Sequence, residues 1–437
     1  MHNRSRWLSS FFAFVLVFAC VAVHADQHSS ERVTSALSGD TQWGGTLSKE
    51  RLAHLDRLLE QYVDEGRIAG AVALVLQHGE TMYEGAFGWS DKESKRRMTS
   101  DTIFRIASQT KALTSAAVLQ LLEAGKLTLS SPVGQFIPEF AQTQVALEKD
   151  GAAELVPSKR PITIRDLLTH TSGYSYGREP HIAALYEAKS LGPAAGHGWY
   201  TADKDEPICD TMARLGTLPT ISQPGEAYVY GYNTDLLGCV IERASGMTLD
   251  AYVRTKILEP LGMKDTHFFL PRNEQERLAA VYASAEGKAV RAPEGAKGQG
   301  RYVEGPRKSF SGGAGLLSTA RDYARFLEMI RNGGSLDGRR ILGSRTAALM
   351  RTNQVGTLHA ADGGLGFGYG FQTVERYGAN GLEAPGAFGW GGAYGSLYRV
   401  DPAAGITMVF MIQLMPNETD VREKFQTLVY QALESDE

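Results

Sequence analysis

Cysteine is scarce in this chain. Among 437 residues only Cys20, Cys209 and Cys239 occur, with no C-x-x-C pair and no Cys/His spacing of the kind that holds zinc. A structural zinc and a disulfide-dense scaffold are therefore excluded, while a single bridge between Cys209 and Cys239 is permitted. Basic excess is lacking too. The 45 Lys and Arg face 49 Asp and Glu, for a net charge of −4, which argues against a nucleic-acid partner. No internal repeat is present, and the apolar run Phe11 to Val23 falls short of the roughly 20 residues that span a bilayer. What remains is an ordinary globular balance, 43% hydrophobic and 22% charged, which rules out a wholly disordered, collagen-like or coiled-coil chain. At roughly 150 residues per domain the length allows two or three domains or one large α/β unit.

The N-terminus carries a processing pattern. Arg4 and Arg6 precede the apolar run, and Val23-His24-Ala25 stands before Asp26. A basic start, a short apolar core and small residues at −3 and −1 predict a signal peptide over 1–25, cleaved after Ala25. Cys20 follows Val17-Phe18-Ala19, a poor lipobox, so a lipid anchor is disfavoured. Loss of Arg4 and Arg6 takes the net charge of the mature chain from −4 to −6. The expected location is periplasmic or secreted, with no stable membrane insertion after cleavage.

After a polar linker over 26–45, a domain is expected over 46–435. Leu52, Leu55, Leu58, Leu59 and Tyr62 recur at helical spacing. Residues 71–77 and 81–84 read as strands joined by a turn at His78-Gly79-Glu80. Near the other end, residues 396–400 and 406–412 flank Asp401-Pro-Ala-Ala-Gly405, a second hairpin, and 418–434 show an apolar face of Val421, Phe425, Leu428, Val429 and Leu433. The two ends can share one antiparallel sheet. The predicted fold is α/β: an antiparallel sheet flanked by N- and C-terminal helices, from about 46–105 and 305–435, with a mostly helical region inserted over about 106–304. The glycine-rich stretch 286–315 is expected to be loop.

Two serines compete for chemistry. Ser108-Gln109-Thr110-Lys111 opens an apolar helical pattern, and residues i and i+3 share a helix face, so Lys111 can reach the Ser108 hydroxyl. A free serine hydroxyl is a weak nucleophile and needs such a partner, and the free N–H groups of a helix N-terminus favour developing negative charge. Gly173-Tyr174-Ser175-Tyr176-Gly177 matches the G-x-S-x-G nucleophile elbow, but that elbow sits between a buried strand and a helix. Here Ile162–Thr171 reads as a capped helix, which makes Ser175 a decoy. Pro224-Gly225 through Tyr230, Tyr232, Asn233 and Asp235 reads as a turn entering a helix that ends near Gly246, and a phenol beside an ammonium can relay a proton. Trp390-Gly391-Gly392-Ala393 precedes a strand, where glycines admit a ligand to the backbone and a free N–H can complete an oxyanion hole.

Together these motifs resemble the penicillin-recognising serine hydrolases, β-lactamase class C-like, and within them the family VIII carboxylesterases. The likeness spans about residues 47–432 and rests on Ser108-x-x-Lys111, Leu167-Leu-Thr-His-Thr-Ser-Gly173, Pro224-Gly225 with Tyr230, Gly312-Gly-Ala-Gly-Leu-Leu-Ser-Thr319 and Trp390-Gly-Gly392. It implies a β-lactamase/D,D-peptidase-like fold, Ser108 as acylated nucleophile, Lys111 and Tyr230 as the proton-transfer pair, and an oxyanion hole from the backbone N–H groups of Ser108 and Ala393. Trp390, Gly391, Gly392 and Tyr232 would bind a small-molecule ester, with no metal or organic cofactor. Where family members carry Tyr-x-Asn, Tyr230 is followed by Tyr232 and then Asn233, so Tyr228 and Tyr232 stay open as alternatives. Trp390 replaces the lysine of the Lys-Thr-Gly strand, and an uncharged strand favours neutral esters over anionic β-lactams. β-Lactamase, D,D-peptidase, amide hydrolase, acyltransferase and a non-catalytic penicillin-binding-like protein are the alternatives. Oligomeric state is not legible in the sequence.

Overall fold

The computed structural model describes residues 43–192, 201–295 and 298–434. The expected signal peptide, and the linker as far as residue 42, lie outside these. Helix α1 (His54–Asp64) leads into strands β1 (Gly70–Gln77), β2 (Glu80–Asp91) and β3 (Arg96–Arg97), followed by the short β4 (Phe104–Arg105). Helices α2 (Thr110–Glu123), α3 (Ile164–Leu168), α4 (Pro180–Ala188), α5 (Ile208–Gly216) and α6 (Asn233–Ser245) follow. The chain then returns through β5 (Leu317–Ser318), α7 (Ala320–Arg331), β6 (Leu365–Phe367), β7 (Gln372–Val374), β8 (Phe388–Gly391), β9 (Leu397–Asp401), β10 (Ile406–Met411) and α8 (Val421–Gln431).

Both ends of the chain build one eight-stranded antiparallel sheet, in the order β6-β7-β8-β9-β10-β1-β2-β3. β1 and β10 meet with Leu74 opposite Val409. Their sequences are continuous apolar runs because helices cover both faces. Ala71, Ala73 and Val75 pack with Leu55, Leu59, Phe425 and Val429 of α1 and α8, while Val72 and Leu74 face the larger core that contains α2, α6 and α7. The β1–β2 turn places His78 at φ 51° and Gly79 at φ 87°, two consecutive positive values that suit the twist of a hairpin.

The inserted region departs from its helical expectation at two places. Residues Gln144–Lys149 and Ala152–Pro157 form a hairpin turned by Asp150 (φ 53°) and Gly151 (φ 79°), an Asp-Gly signal of the same kind as in β1–β2. The stretch 286–315 is not wholly loop, since Lys288–Arg291 pairs with Tyr282–Ala285. The helix over Ile162–Thr171 is realised as α3, with Thr163 and Asp166 closing a reciprocal capping box. Gly246 ends α6 in the left-handed region, at φ 73°. Cys209 on α5 and Cys239 on α6 are joined by a disulfide with Cα atoms 4.9 Å apart. No helix among the described residues is long and apolar enough to cross a membrane.

Candidate active site

Ser108 sits in a single 3-10 turn, Ala107–Gln109, directly before α2. Ala107 precedes it at φ 43° with 1% exposure. A left-handed alanine costs about 1–2 kcal/mol, and it survives here because packing against Val281 and Tyr394 leaves no room to relax. The turn is anchored on both sides. Tyr323 of α7 donates to the Gln109 carbonyl at 2.9 Å, and Leu316 N donates to Thr110 Oγ1 at 3.1 Å.

Lys111, one turn on, is 1% exposed. Its Nζ donates to the Gly313 carbonyl at 2.8 Å, to the Tyr176 hydroxyl at 3.1 Å and to Ser108 Oγ at 3.4 Å. An ammonium has three N–H donors, and three acceptors meet them. The glycine-rich motif supplies the first. A Cβ on Gly312 would lie 2.4 Å from the Thr234 carbonyl, and one on Gly313 2.4 Å from Asp235 Oδ2, so only glycines bring this loop against α6. Buried Asp235 holds it there, accepting from Ser311 Oγ at 2.6 Å and Gly313 N at 3.2 Å. Burial pushes the Asp235 carboxyl above its ordinary pKa, opposed by Ser311 and by the Lys111 charge.

Of the three candidate tyrosines, Tyr230 enters the site. Lys111 Nζ lies 4.7 Å from its ring centroid, and the Trp390 indole donates to its hydroxyl at 3.3 Å. Tyr228 and Tyr232 do not line the cavity. Burial raises the Tyr228 phenol well above its ordinary pKa. Tyr232 is 0% exposed, and its hydroxyl accepts the Gly192 amide at 2.7 Å. Its expected contact with substrate is therefore corrected: it is a packing residue behind the site.

Ser108, Tyr176, Tyr230, Trp390, Gly391, Gly392 and Ala393 line one cavity of about 640 Å³. Trp390 and Gly391 lie on β8 itself, and a Cβ on Gly392 would meet the Ile106 carbonyl at 2.7 Å, so the strand end packs directly on the turn that carries Ser108. The amides of Ser108 and Ala393 donate to no acceptor among the described residues. Tyr176 is the residue that sequence reasoning missed. It stands beside the decoy Ser175, whose Oγ donates to Glu179 at 2.6 Å and accepts Gly177 N at 2.9 Å. The Trp390 strand itself carries no charged side chain, but Arg178, Arg399 and Arg422 also line the cavity. They come from a loop, β9 and α8 rather than from the Trp390 strand. Arg399 is tied to Glu383 at 2.9 Å and to the Trp390 carbonyl at 3.0 Å. Among the described residues, no three His, Cys, Asp or Glu side chains gather as metal ligands.

The family model described as Beta-lactamase matches residues 55–432. The chain belongs to this Beta-lactamase family. Relatives include Esterase EstB of Burkholderia gladioli, 36% identical over 82% of this chain and 89% of that protein. Protein Rv1367c of Mycobacterium tuberculosis is 33% identical, again over 82% and 89%. Among solved structures, EstCE1, titled a hydrolase with promiscuous acyltransferase activity, superposes with a TM-score of 0.74 at 27% identity, covering 88% of this chain and 98% of that one. The penicillin-binding protein homologue of Pyrococcus abyssi, at 24% identity and a TM-score of 0.63, shares the fold, over 87% and 79%.

Within this Beta-lactamase fold the two serines make opposite predictions. A fluorophosphonate adduct should map to Ser108, and Ser108→Ala should abolish labelling. Ser175→Ala should keep most of it while losing stability, about 1–3 kcal/mol for the broken buried hydrogen bonds. Peptide mass spectrometry that finds the adduct on Ser175 would overturn the assignment.

Proposed function

We propose that the protein is a serine carboxylesterase that works through an acyl-enzyme on Ser108. The observation that carries this reading is the Lys111 side-chain nitrogen, set between the Ser108 and Tyr176 hydroxyls, which both line a cavity of about 640 Å³. The relationship to Esterase EstB supports an ester rather than a lactam or peptide bond.

The chemistry follows from which bonds can reverse. The Gly313 carbonyl only accepts, so it always occupies one N–H of Lys111. The two hydroxyls can donate as well as accept. A deprotonated Lys111 therefore turns its lone pair to a hydroxyl and can take the Ser108 proton as Oγ attacks the ester carbonyl. The oxyanion that forms is received by the Ser108 and Ala393 amides. The Tyr230 hydroxyl gives its own proton to the departing alkoxide and is reprotonated by the ammonium formed on Lys111, and water attacking the acyl-enzyme by the reverse route frees the acid.

The substrate class is tested by kcat/KM for p-nitrophenyl butyrate, a chromogenic cephalosporin and a D-Ala-D-Ala peptide side by side. The butyrate ester should be turned over fastest. Cephalosporin hydrolysis at the same rate would move the reading to a β-lactamase.

If Lys111 and Tyr230 move one proton together, Lys111→Met and Tyr230→Phe should each cost about 3–5 kcal/mol in kcat/KM, and the double change little more, because residues acting as a unit are non-additive. Tyr176→Phe should cost less, since one of three acceptors is lost while Lys111 and Tyr230 remain. An active Tyr230→Phe enzyme beside a dead Tyr176→Phe one would reverse the two phenols.

Export is the proposed route to its workplace, periplasmic or secreted, because the N-terminal pattern and the Cys209–Cys239 bridge both suit an oxidising compartment. Protein recovered after expression in a Gram-negative host should begin at Asp26 by intact-mass measurement. Reduction of the bridge, which closes a loop across a sequence separation of 30, should lower stability by about 2–4 kcal/mol in denaturant titration. A mature chain that still begins at Met1 would refute export by this signal.

A further inference from the structure

His170 lies outside the cavity, is 1% exposed and has no part in the proton transfers above. Its backbone and its ring nevertheless both grip the segment that carries Tyr230. It ends the turn after α3 in the left-handed region, at φ 56°, a conformation that histidine, with asparagine and aspartate, adopts more readily than most residues. Its carbonyl accepts Val229 N at 2.7 Å, which fixes the backbone one residue before Tyr230. Its imidazole lies under the Tyr230 ring, with centroids 4.7 Å apart and planes 36° from parallel. Three residues after Tyr230, Asn233 is fully buried and opens α6. Its amide nitrogen sits 3.0 Å from His170 Nδ1 and donates to the Val229 and Tyr174 carbonyls, at 3.2 and 3.3 Å. Its amide oxygen accepts the Ser172 hydroxyl.

This network settles the histidine's state. Asn233 Nδ2 can only donate, and its two hydrogens are shared among Nδ1 and the two carbonyls, so Nδ1 accepts and the ring proton lies on Nε2, which meets no acceptor among the described residues. Burial, with Lys111 and His359 nearby, holds the imidazole well below its ordinary pKa, so the ring is neutral. The edges of Phe367, at 5.5 Å, and Tyr228, at 5.9 Å, close in from the other sides. A ring fixed at one nitrogen, wedged by two aromatics and tethered through its own carbonyl has one available plane.

We infer that His170 is a positioning residue: a neutral platform, locked by Asn233, that sets the plane of the Tyr230 ring and so aims its hydroxyl at the reacting atoms. This rests on the esterase reading above and deepens it. Misplacing a reacting group by about an ångström can cost a hundredfold, so the loss should fall on kcat.

The test is a double-mutant cycle on p-nitrophenyl butyrate, with melting temperature recorded for each protein. His170→Asn tolerates the left-handed backbone and removes the ring. In the wild-type background it should lower kcat by about ten- to a hundredfold and leave KM within about twofold. In a Tyr230→Phe background, where there is no hydroxyl to aim, it should change kcat less than about threefold. His170→Phe keeps an aromatic platform without the Nδ1 acceptor; its kcat should fall between the two in the wild-type background, and it carries the same cycle if His170→Asn is poorly folded. An equal kcat loss with and without the Tyr230 hydroxyl would mark His170 as a purely structural residue and overturn the inference, as would an unchanged kcat. A wild-type enzyme that neither turns over the ester nor labels on Ser108 would instead refute the esterase reading and take this inference with it.

Discussion

A primary ammonium almost wholly removed from water is the constraint on which the rest of the site depends. Burying such a charge is costly unless every donor is met, and Lys111 is met three times, by a backbone carbonyl and two hydroxyls. Each acceptor comes from a different part of the chain. Ser108 arrives with the helix itself, Tyr176 by the loop before α4, and Gly313 by the loop before β5. The Gly312-Gly313 pair has no freedom to carry side chains because its job is to bring that third acceptor within reach. Asp235 stands behind it, holding the loop through Ser311 and the Gly313 amide. The lysine is thus the point at which the helical region and the sheet region have to agree.

The sheet is the other half of that agreement. β1 and β10, from opposite ends of the chain, pair at its middle, and three strands out from β1 the end of β8 delivers Ala393. The contact that matters is backbone on backbone, where Gly392 lies against the Ile106 carbonyl. A side chain there would push the strand off the turn that carries Ser108 and draw the Ala393 amide away from it.

Much of this was legible in the sequence, and what was not has a common cause. Spacing along one element reads well. The i, i+3 relation of Ser108 and Lys111, the continuous apolar runs of β1 and β10, and the capped helix ahead of Ser172 all depend on local geometry. Residues brought in by loops do not announce themselves. Tyr176 carries no periodic signal, and the G-x-S-x-G match drew attention to the serine beside it, whose hydroxyl is consumed by Glu179. The guanidinium of Arg422 comes from α8, where one face was read for its apolar content and the other was not read at all. The hairpin Gln144–Pro157 was missed inside a stretch that is otherwise helical, although Asp150-Gly151 is the kind of dipeptide that turns hairpins.

The tyrosines show why spacing alone could not choose among phenols. Tyr228, Tyr230 and Tyr232 are two residues apart, and alternate positions of an extended segment share a face, which predicts that all three point the same way. They do not, because the segment is a turn whose backbone is pinned by the His170 carbonyl at Val229 and converted to helix at Asn233. Tyr232 is carried behind the site and spends its hydroxyl on Gly192. Tyr228 is packed among His170, His359 and Phe367, and the loss of solvent that raises its pKa keeps it protonated, with no cation beside it to offset the burial. Of these three, Tyr230 alone lines the cavity and has the Lys111 nitrogen against its ring. Reactivity here is assigned by what each phenol is buried against, and that is set by residues sixty positions away, in the turn after α3.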